Sequence, residues 1–401
     1  MMSKNKTFHT IIFTLYLTLS LIRFVWPAQI FLTSIITGLG LFALIFLSNR
    51  IQIEYRRLYV FIAFLILSFL VSSFVVSRTE RIVHVLLFIV FNTGIALILL
   101  KGYVYSWGVY IVFYGLFSYF LLLMLLGVNA YDALRVTSHN GISIMMLVAC
   151  ISLYIVLNIE KKEINLLPAL LTLIISIWGI GRAGIISSLV LLLGLLSIKF
   201  VKRKKIIGFT IVIIIIGSLY INQITNIILN SSFFFGAVSN YLAKSSVMGP
   251  EERILIWENY FYNLDYLRIL FGTNVFTDQW AEGFRLAYNY HNAFIALHSQ
   301  TGFMGIIIMM IIIISLFKFY KTDKVFFFLF LTLVIRSYTD TFIFFESWDF
   351  IAYYFIFYFL IGIKNIVPRS LSSNQGYWNT LKLHNRKNLS SYVRAEVRDI
   401  N

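Results

Sequence analysis

Three side chains in this 401-residue sequence have the types and surroundings to do chemistry on a charged leaving group. Arg182 lies in Trp178-Gly179-Ile180-Gly181-Arg182-Ala183-Gly184, Arg253 in Glu251-Glu252-Arg253-Ile254-Leu255-Ile256-Trp257, and His291 in Tyr290-His291-Asn292, upstream of Gln300-Thr301-Gly302-Phe303-Met304-Gly305. An arginine among glycines offers a planar guanidinium to a phosphate at close range; the alternative is a side chain that snorkels to lipid headgroups. Arg253 shares a helix side with Trp257, four residues on, and either meets an anion or pairs with the adjoining glutamates. His291 opens a helical pattern beside an apolar run, where an imidazole serves as base or hydrogen-bond partner; the plainer reading is a solvated loop histidine. His298 is two turns further on the same face and is a candidate to second it. Arg135, in Leu134-Arg135-Val136-Thr137-Ser138-His139-Asn140, either joins the site or pairs with Asp132. Arg336 and Asp340, one turn apart in an apolar run, form either a structural salt bridge or part of a wet cavity.

The elements that must position these residues follow from composition. The chain is 60% hydrophobic and 12% charged, with a mean hydropathy of +0.85. A water-soluble domain has no interior large enough for that apolar content, so the expectation is an all-α polytopic membrane protein. The net charge of +16 is spread through short loops between apolar runs. That is the pattern of orientation signals and of attraction to anionic membrane lipid, not of a nucleic-acid surface. Cys150 is the single cysteine, which excludes an internal disulfide or thiol framework. The basic N-terminus leads into an apolar run without a small-residue cleavage pattern and reads as an uncleaved first span.

Apolar segments recur at about 8–26, 28–47, 58–77, 82–100, 103–127, 140–158, 166–181, 183–199, 206–222, 303–320, 325–345 and 348–363, about twelve in all. Alternating them from an inside N-terminus puts nearly all lysines inside, and Lys244 alone outside. The organisation expected is nine spans over 1–222, a large outer loop over 223–302, three spans over 303–363, and a basic inside tail over 364–401. In the loop, Pro250 starts a helix with Ile254, Trp257 and Phe261 on one face. Gly272 ends the next apolar patch, and a second helix begins near His291-Asn292, turns Phe294, Ile295 and His298 inward and breaks at Gly302. Both are too short to span and are expected to form a lid at the membrane interface. Gly38-x-Gly40 lies inside an apolar run and reads as packing glycine. No Asp-x-Asp, His-Glu-x-x-His or nucleophilic serine elbow occurs, so if a diphosphate leaves here, arginines and not a metal must neutralise it, and no cofactor is expected.

Taken in order, these motifs resemble the bacterial O-antigen polymerase/O-antigen ligase superfamily. The likeness rests on the Gly-Arg-Ala-Gly turn, the Glu-Arg-x-x-x-Trp helix, His291-Asn292 with Thr301-Gly302-x-x-Gly305, and the Arg135 to Asn140 entry to a span, and it covers roughly 130–345. Gly181 stands where the family's first motif usually has a hydroxyl residue. The resemblance implies a fold similar to the C-type membrane glycosyltransferases, a bacterial inner-membrane location with both termini cytoplasmic, and chemistry on polyprenyl-diphosphate-linked glycans. It implies that Arg182 and Arg253 bind the diphosphate and that His291 orients or deprotonates the acceptor hydroxyl, unless a carboxylate does so. Arg135, Asn140, Asn292, Arg336 and Asp340 complete the candidate set as substrate-binding residues. The activity expected is that of a polymerase joining lipid-linked repeats. A ligase that moves the glycan to lipid A core is the alternative, and a repeat-unit flippase stands behind both. Expected partners are the lipid-linked donor and acceptor and the membrane itself, with a flippase and a chain-length regulator as further protein partners.

Overall fold

A segment immersed in hydrocarbon satisfies its backbone polar groups most simply within itself, which favours helices wherever this chain is apolar. A computed structural model of the chain describes residues 2–26, 29–48, 56–79, 81–134, 138–200, 250–277 and 289–362. Every regular element among the described residues is an α-helix: α1 (Met2–Ile22), α2 (Gln29–Ser48), α3 (Arg56–Val75), α4 (Ile82–Leu100), α5 (Ser106–Leu125), α6 (Asn140–Ile159), α7 (Leu167–Trp178), α8 (Arg182–Phe200), α9 (Pro250–Tyr262), α10 (Tyr266–Phe271), α11 (Ala293–Thr301), α12 (Phe303–Thr322), α13 (Lys324–Tyr338) and α14 (Phe350–Ile361). Six of these, α3, α4, α5, α6, α8 and α12, are long and apolar enough to cross a membrane. The other apolar segments are also helical where described. The 206–222 segment, Arg135, the loop before Pro250, the 278–288 stretch and the tail lie outside the described residues.

α6 is the central pillar, with every side chain from Gly141 to Leu157 buried. Around it stand α5, α7, α8 and α13, and a stack of rings from Phe319, Phe326, Phe330 and Phe355 locks α12, α13 and α14 together. Large apolar side chains face outward on the perimeter, among them Phe74 (87% exposed) and Leu125 (73%). A water-soluble protein would hide such residues, whereas lipid accommodates them.

The two ends of the bundle differ in charge. One end gathers Lys6, Glu160 and Lys162 in ion pairs at 3.3 and 2.9 Å, and Asn158 donates to the Asp323 carboxylate at 2.8 Å. Every described lysine lies at this end. The opposite end carries Arg23, Arg78, Arg81, Arg182, Arg253 and His291, and it is where α9, α10 and α11 pack.

One span differs from expectation. The segment expected to run to 345 stops at Tyr338, and 339–349 is an irregular turn. Asp349 ends the helix early by offering its carboxylate to the amides of Phe344 (2.8 Å), Phe345 and Glu346 (3.0 Å). Trp348 donates to the Phe342 carbonyl at 2.5 Å. From the neighbouring helices Tyr16 donates to Ser347 O (2.6 Å), while Asn92 bridges Glu346 O (2.8 Å) and the Phe350 amide (3.0 Å). Phe344 and Phe345 sit at φ of 70° and 71°, a region costly for bulky residues that persists only where surrounding contacts over-determine it. Asp349, Asn92 and Tyr16 supply those contacts. The turn is rigid by construction, and it carries Asp340.

Candidate functional site

α9 is oriented by an aromatic seam. Ile256 and Tyr260 are 1% and 4% exposed, whereas Ile254 and Phe261 stand at 48% and 60%. The inward stripe is therefore Arg253, Ile256, Trp257 and Tyr260, and not the expected Ile254, Trp257 and Phe261. The reason is polar: the Tyr260 hydroxyl reaches His298 Nδ1 at 2.5 Å, and Trp257 Nε1 donates to Tyr290 O at 2.8 Å. An aromatic edge of Trp257 also rests on Tyr338, with centroids 5.3 Å apart.

α11 starts where Asn292 folds its side-chain oxygen onto the amides of Phe294 (2.9 Å) and Ile295 (3.2 Å), an N-cap. It ends at Gly302, whose φ of 56° suits glycine, and where a Cβ would fall 2.0 Å from Leu270 O. α11 is not spread on an interface: its Ala293, Leu297 and His298 side chains are buried, and it packs on α3 and α12. Arg78, 4% exposed, clamps the crossing by donating to Ser299 O at 2.8 Å and to Thr273 O. His298, expected to second His291, instead bonds Tyr260 and the Ile269 carbonyl (3.1 Å), and burial lowers its pKa. It holds the lid together.

These supports bring His291, Arg253, Arg336 and Asp340 to one place. His291 Nδ1 lies 4.0 Å from Asp340 Oδ1, an electrostatic distance and not a hydrogen bond. Arg336 contacts the other carboxylate oxygen at 3.2 Å, so both readings of that pair resolve into a salt bridge beside a histidine. Arg253 Nη1 donates to Thr339 O at 2.9 Å, one residue before Asp340. The backbone of His291 is held at φ 51° by its amide bond to Asn289 Oδ1 (2.8 Å). Its Nε2 is buried and has no hydrogen-bond partner among the described residues.

Arg182 begins α8, its side chain exposed. Its neighbour Ala183 lines an apolar cavity of about 280 Å3 together with Phe294, Val334, Tyr338 and Thr339. The cavity thus runs from the start of α8 to Thr339, whose carbonyl accepts from Arg253. The glycines beside Arg182 serve packing: a Cβ at Gly181 would meet Asn140 Oδ1 at 2.7 Å, and one at Gly184 would meet Ser143 Oγ at 2.2 Å. Asn140 occupies the space that a hydroxyl residue at 181 would need. Asn140 is at the head of α6, half-buried, and Asn292 is spent on its cap. Sequence reasoning passed over Tyr16, Asn92, Asp349 and Arg78, which position the site. An asparagine inside an otherwise apolar run was the available signal for Asn92.

Burial pushes the His291 pKa below the ordinary histidine value, Arg253 pushes it the same way, and Asp340 opposes both. His291 is then neutral at neutral pH, the form that accepts a proton. A reaction using it as base should lose rate only when His291 protonates, below its ordinary value of about 6.5. Asp340→Asn removes the one opposing charge and should move that acid limb lower still. Rates measured between about pH 5 and 8 check both; a wild-type limb at or above the ordinary value contradicts a neutral, buried base.

No protein-family model matches the chain, and no curated protein sequence matches it.

Proposed function

We propose that the chain is a membrane glycosyltransferase of about twelve spans and C-type architecture that joins polyprenyl-diphosphate-linked glycan repeats at the outer face of a bacterial cytoplasmic membrane. The observation that carries this reading is the meeting of Arg253 with the His291–Asp340–Arg336 cluster beside an apolar cavity, at the end of the bundle where no described lysine lies. By the positive-inside rule that end faces outward. An apolar slot next to guanidinium groups matches a ligand that is hydrocarbon at one end and diphosphate at its head.

In the step proposed, a hydroxyl of the acceptor sugar attacks the anomeric carbon of the donor glycan. The new glycosidic bond forms as the bond from that carbon to the diphosphate oxygen breaks. His291 Nε2 takes the hydroxyl proton, Asp340 steadies the resulting imidazolium, and Arg253 and Arg182 neutralise the diphosphate that leaves. Arg336 holds the Asp340 carboxylate in place through their 3.2 Å contact. Polar groups gathered at one end fit transfer at a surface better than transport, which places its site near the midplane.

Deletion of the chain in its host separates the enzymatic alternatives. A host without a polymerase still attaches a single repeat to its final acceptor, and that single-repeat pattern on a polysaccharide gel is the expected result. Polymer accumulating on the polyprenyl carrier would identify a ligase, and an unaltered surface glycan would refute glycan transfer altogether.

A further inference from the structure

A second, larger cavity lies near the His291–Asp340 pair. α2 and α4 touch backbone to backbone at their crossing, where a Cβ on Gly40 would fall 2.2 Å from Phe91 Cβ and one on Gly94 would fall 2.4 Å from Gly40 O. Toward the arginine end a space of about 870 Å3 opens between the 30–37 stretch of α2 and the 84–88 stretch of α4. Tyr290 and Thr341 line it, whereas their neighbours in sequence, Phe294 and Thr339, line the 280 Å3 cavity. Both spaces therefore reach residues close in sequence to the histidine and its carboxylate.

The charge in this second space is unbalanced. Arg23, Arg78 and Arg81 line it, and among the described lining residues Glu346 is the one carboxylate. Arg78 is committed to the carbonyls of Thr273 and Ser299. Arg23 is different: its side chain is 11% exposed, and it pairs with Glu346 at 3.5 Å through Nη2 only. Its Nε and Nη1 are buried without a hydrogen-bond partner among the described residues, and the faces of Phe24 and Phe88 lie 5.1 and 5.5 Å from the guanidinium. A desolvated guanidinium with open donors is costly until an acceptor arrives. Arg81 stands exposed at the rim, held at φ 59°. The wall is also open sideways, since Ile30 lines the cavity and is 87% exposed on an apolar helix. A slot with arginines at its head and an apolar side opening suits an anion carried on a hydrocarbon chain.

We propose that this cavity is a second anion subsite that takes a lipid-borne diphosphate, with its phosphates at Arg23 and Arg81 and its hydrocarbon leaving past Ile30. The identification of that lipid as the glycan acceptor rests on the polymerase reading above. Two lipid-linked substrates would then approach His291 through separate cavities, the donor beside Arg253 and the acceptor beside Arg23.

Undecaprenyl diphosphate added to the purified full chain in phosphatidylcholine nanodiscs, counted by native mass spectrometry, tests this. Two molecules should bind per chain. Arg81→Gln, at an exposed position where folding is not at stake, and Arg23→Gln should each weaken one of them by about tenfold or more. Thr37→Trp, which fills the space without touching a charge, should remove the same one. Arg253→Ala should weaken only the other. Binding of one molecule, lost in Arg253→Ala and kept in the three cavity variants, overturns the second subsite while leaving the polymerase reading intact. Phosphatidylglycerol nanodiscs distinguish the source of the phosphate: displacement of the Arg81-dependent molecule by phosphatidylglycerol, with no recovery on adding undecaprenyl diphosphate, would mark a phospholipid site and overturn the proposal. Retention of an Arg81-dependent molecule in a chain that transfers no glycan would uphold the subsite and remove the polymerase reading instead.

Discussion

His291→Ala is expected to stop glycan transfer while the lipid diphosphate still binds. The imidazole Nε2 is buried and has no hydrogen-bond partner among the described residues, and the adjoining Asp340 carboxylate at 4.0 Å stabilises the ring once it is protonated. Losing a general base costs about a hundred- to ten-thousand-fold in rate, enough to erase a polysaccharide ladder. Arg253→Ala should fail differently, losing diphosphate affinity and rate together, because a guanidinium acts on both bound and departing phosphate. Lysine at 253 should rescue only in part, since it brings a point charge and not a planar fork. Arg182→Ala should resemble Arg253→Ala; full activity in that variant would assign Arg182 to the lipid headgroups. The measurement is transfer rate beside diphosphate binding for each variant, and a His291→Ala protein that transfers at the wild-type rate refutes the role of base.

Asp340→Ala carries the second large effect, on stability as well as on rate. Arg336 is 1% exposed and its Nε and Nη1 have no hydrogen-bond partner among the described residues, so Asp340 is its principal compensation there. Removing one partner of a buried pair leaves an uncompensated charge, at about 3–5 kcal/mol. Thermal unfolding of the purified protein should show a large fall in Tm. Replacing both residues, Arg336→Met with Asp340→Ala, should recover most of that stability because no buried charge remains. It should not recover transfer, because His291 would still lack its carboxylate. Equal stability of the wild type and Asp340→Ala would contradict the burial argument.

The helices were legible in the sequence because lipid leaves an apolar run few other conformations, and segment ends fell within a few residues of the helices at α4, α6 and α8. The 339–349 turn was not legible. Its hydrophobicity continues that of α13, and only the buried Asp349 carboxylate, binding three amides, converts an apolar run into a fixed turn. The same limit applied to α9: periodicity pointed to Ile254 and Phe261, while the hydroxyl of Tyr260 and the ring of His298 decided the rotation. Of the candidate residues, Arg253, His291, Arg336 and Asp340 lie together. Arg182 stands across the apolar cavity, at the head of α8. Arg23 drew no notice because it ends a first helix far away in sequence, and only the tertiary fold brings it to Glu346.

Reconstitution tests the central claim most directly. The purified chain in liposomes, supplied only with a polyprenyl-diphosphate-linked repeat from its host, should convert that repeat into a ladder of longer lipid-linked glycans. The His291→Ala protein, in the same vesicles, should leave the repeat as it was. A wild-type protein that leaves the repeat unextended under conditions where the lipid binds would contradict the account.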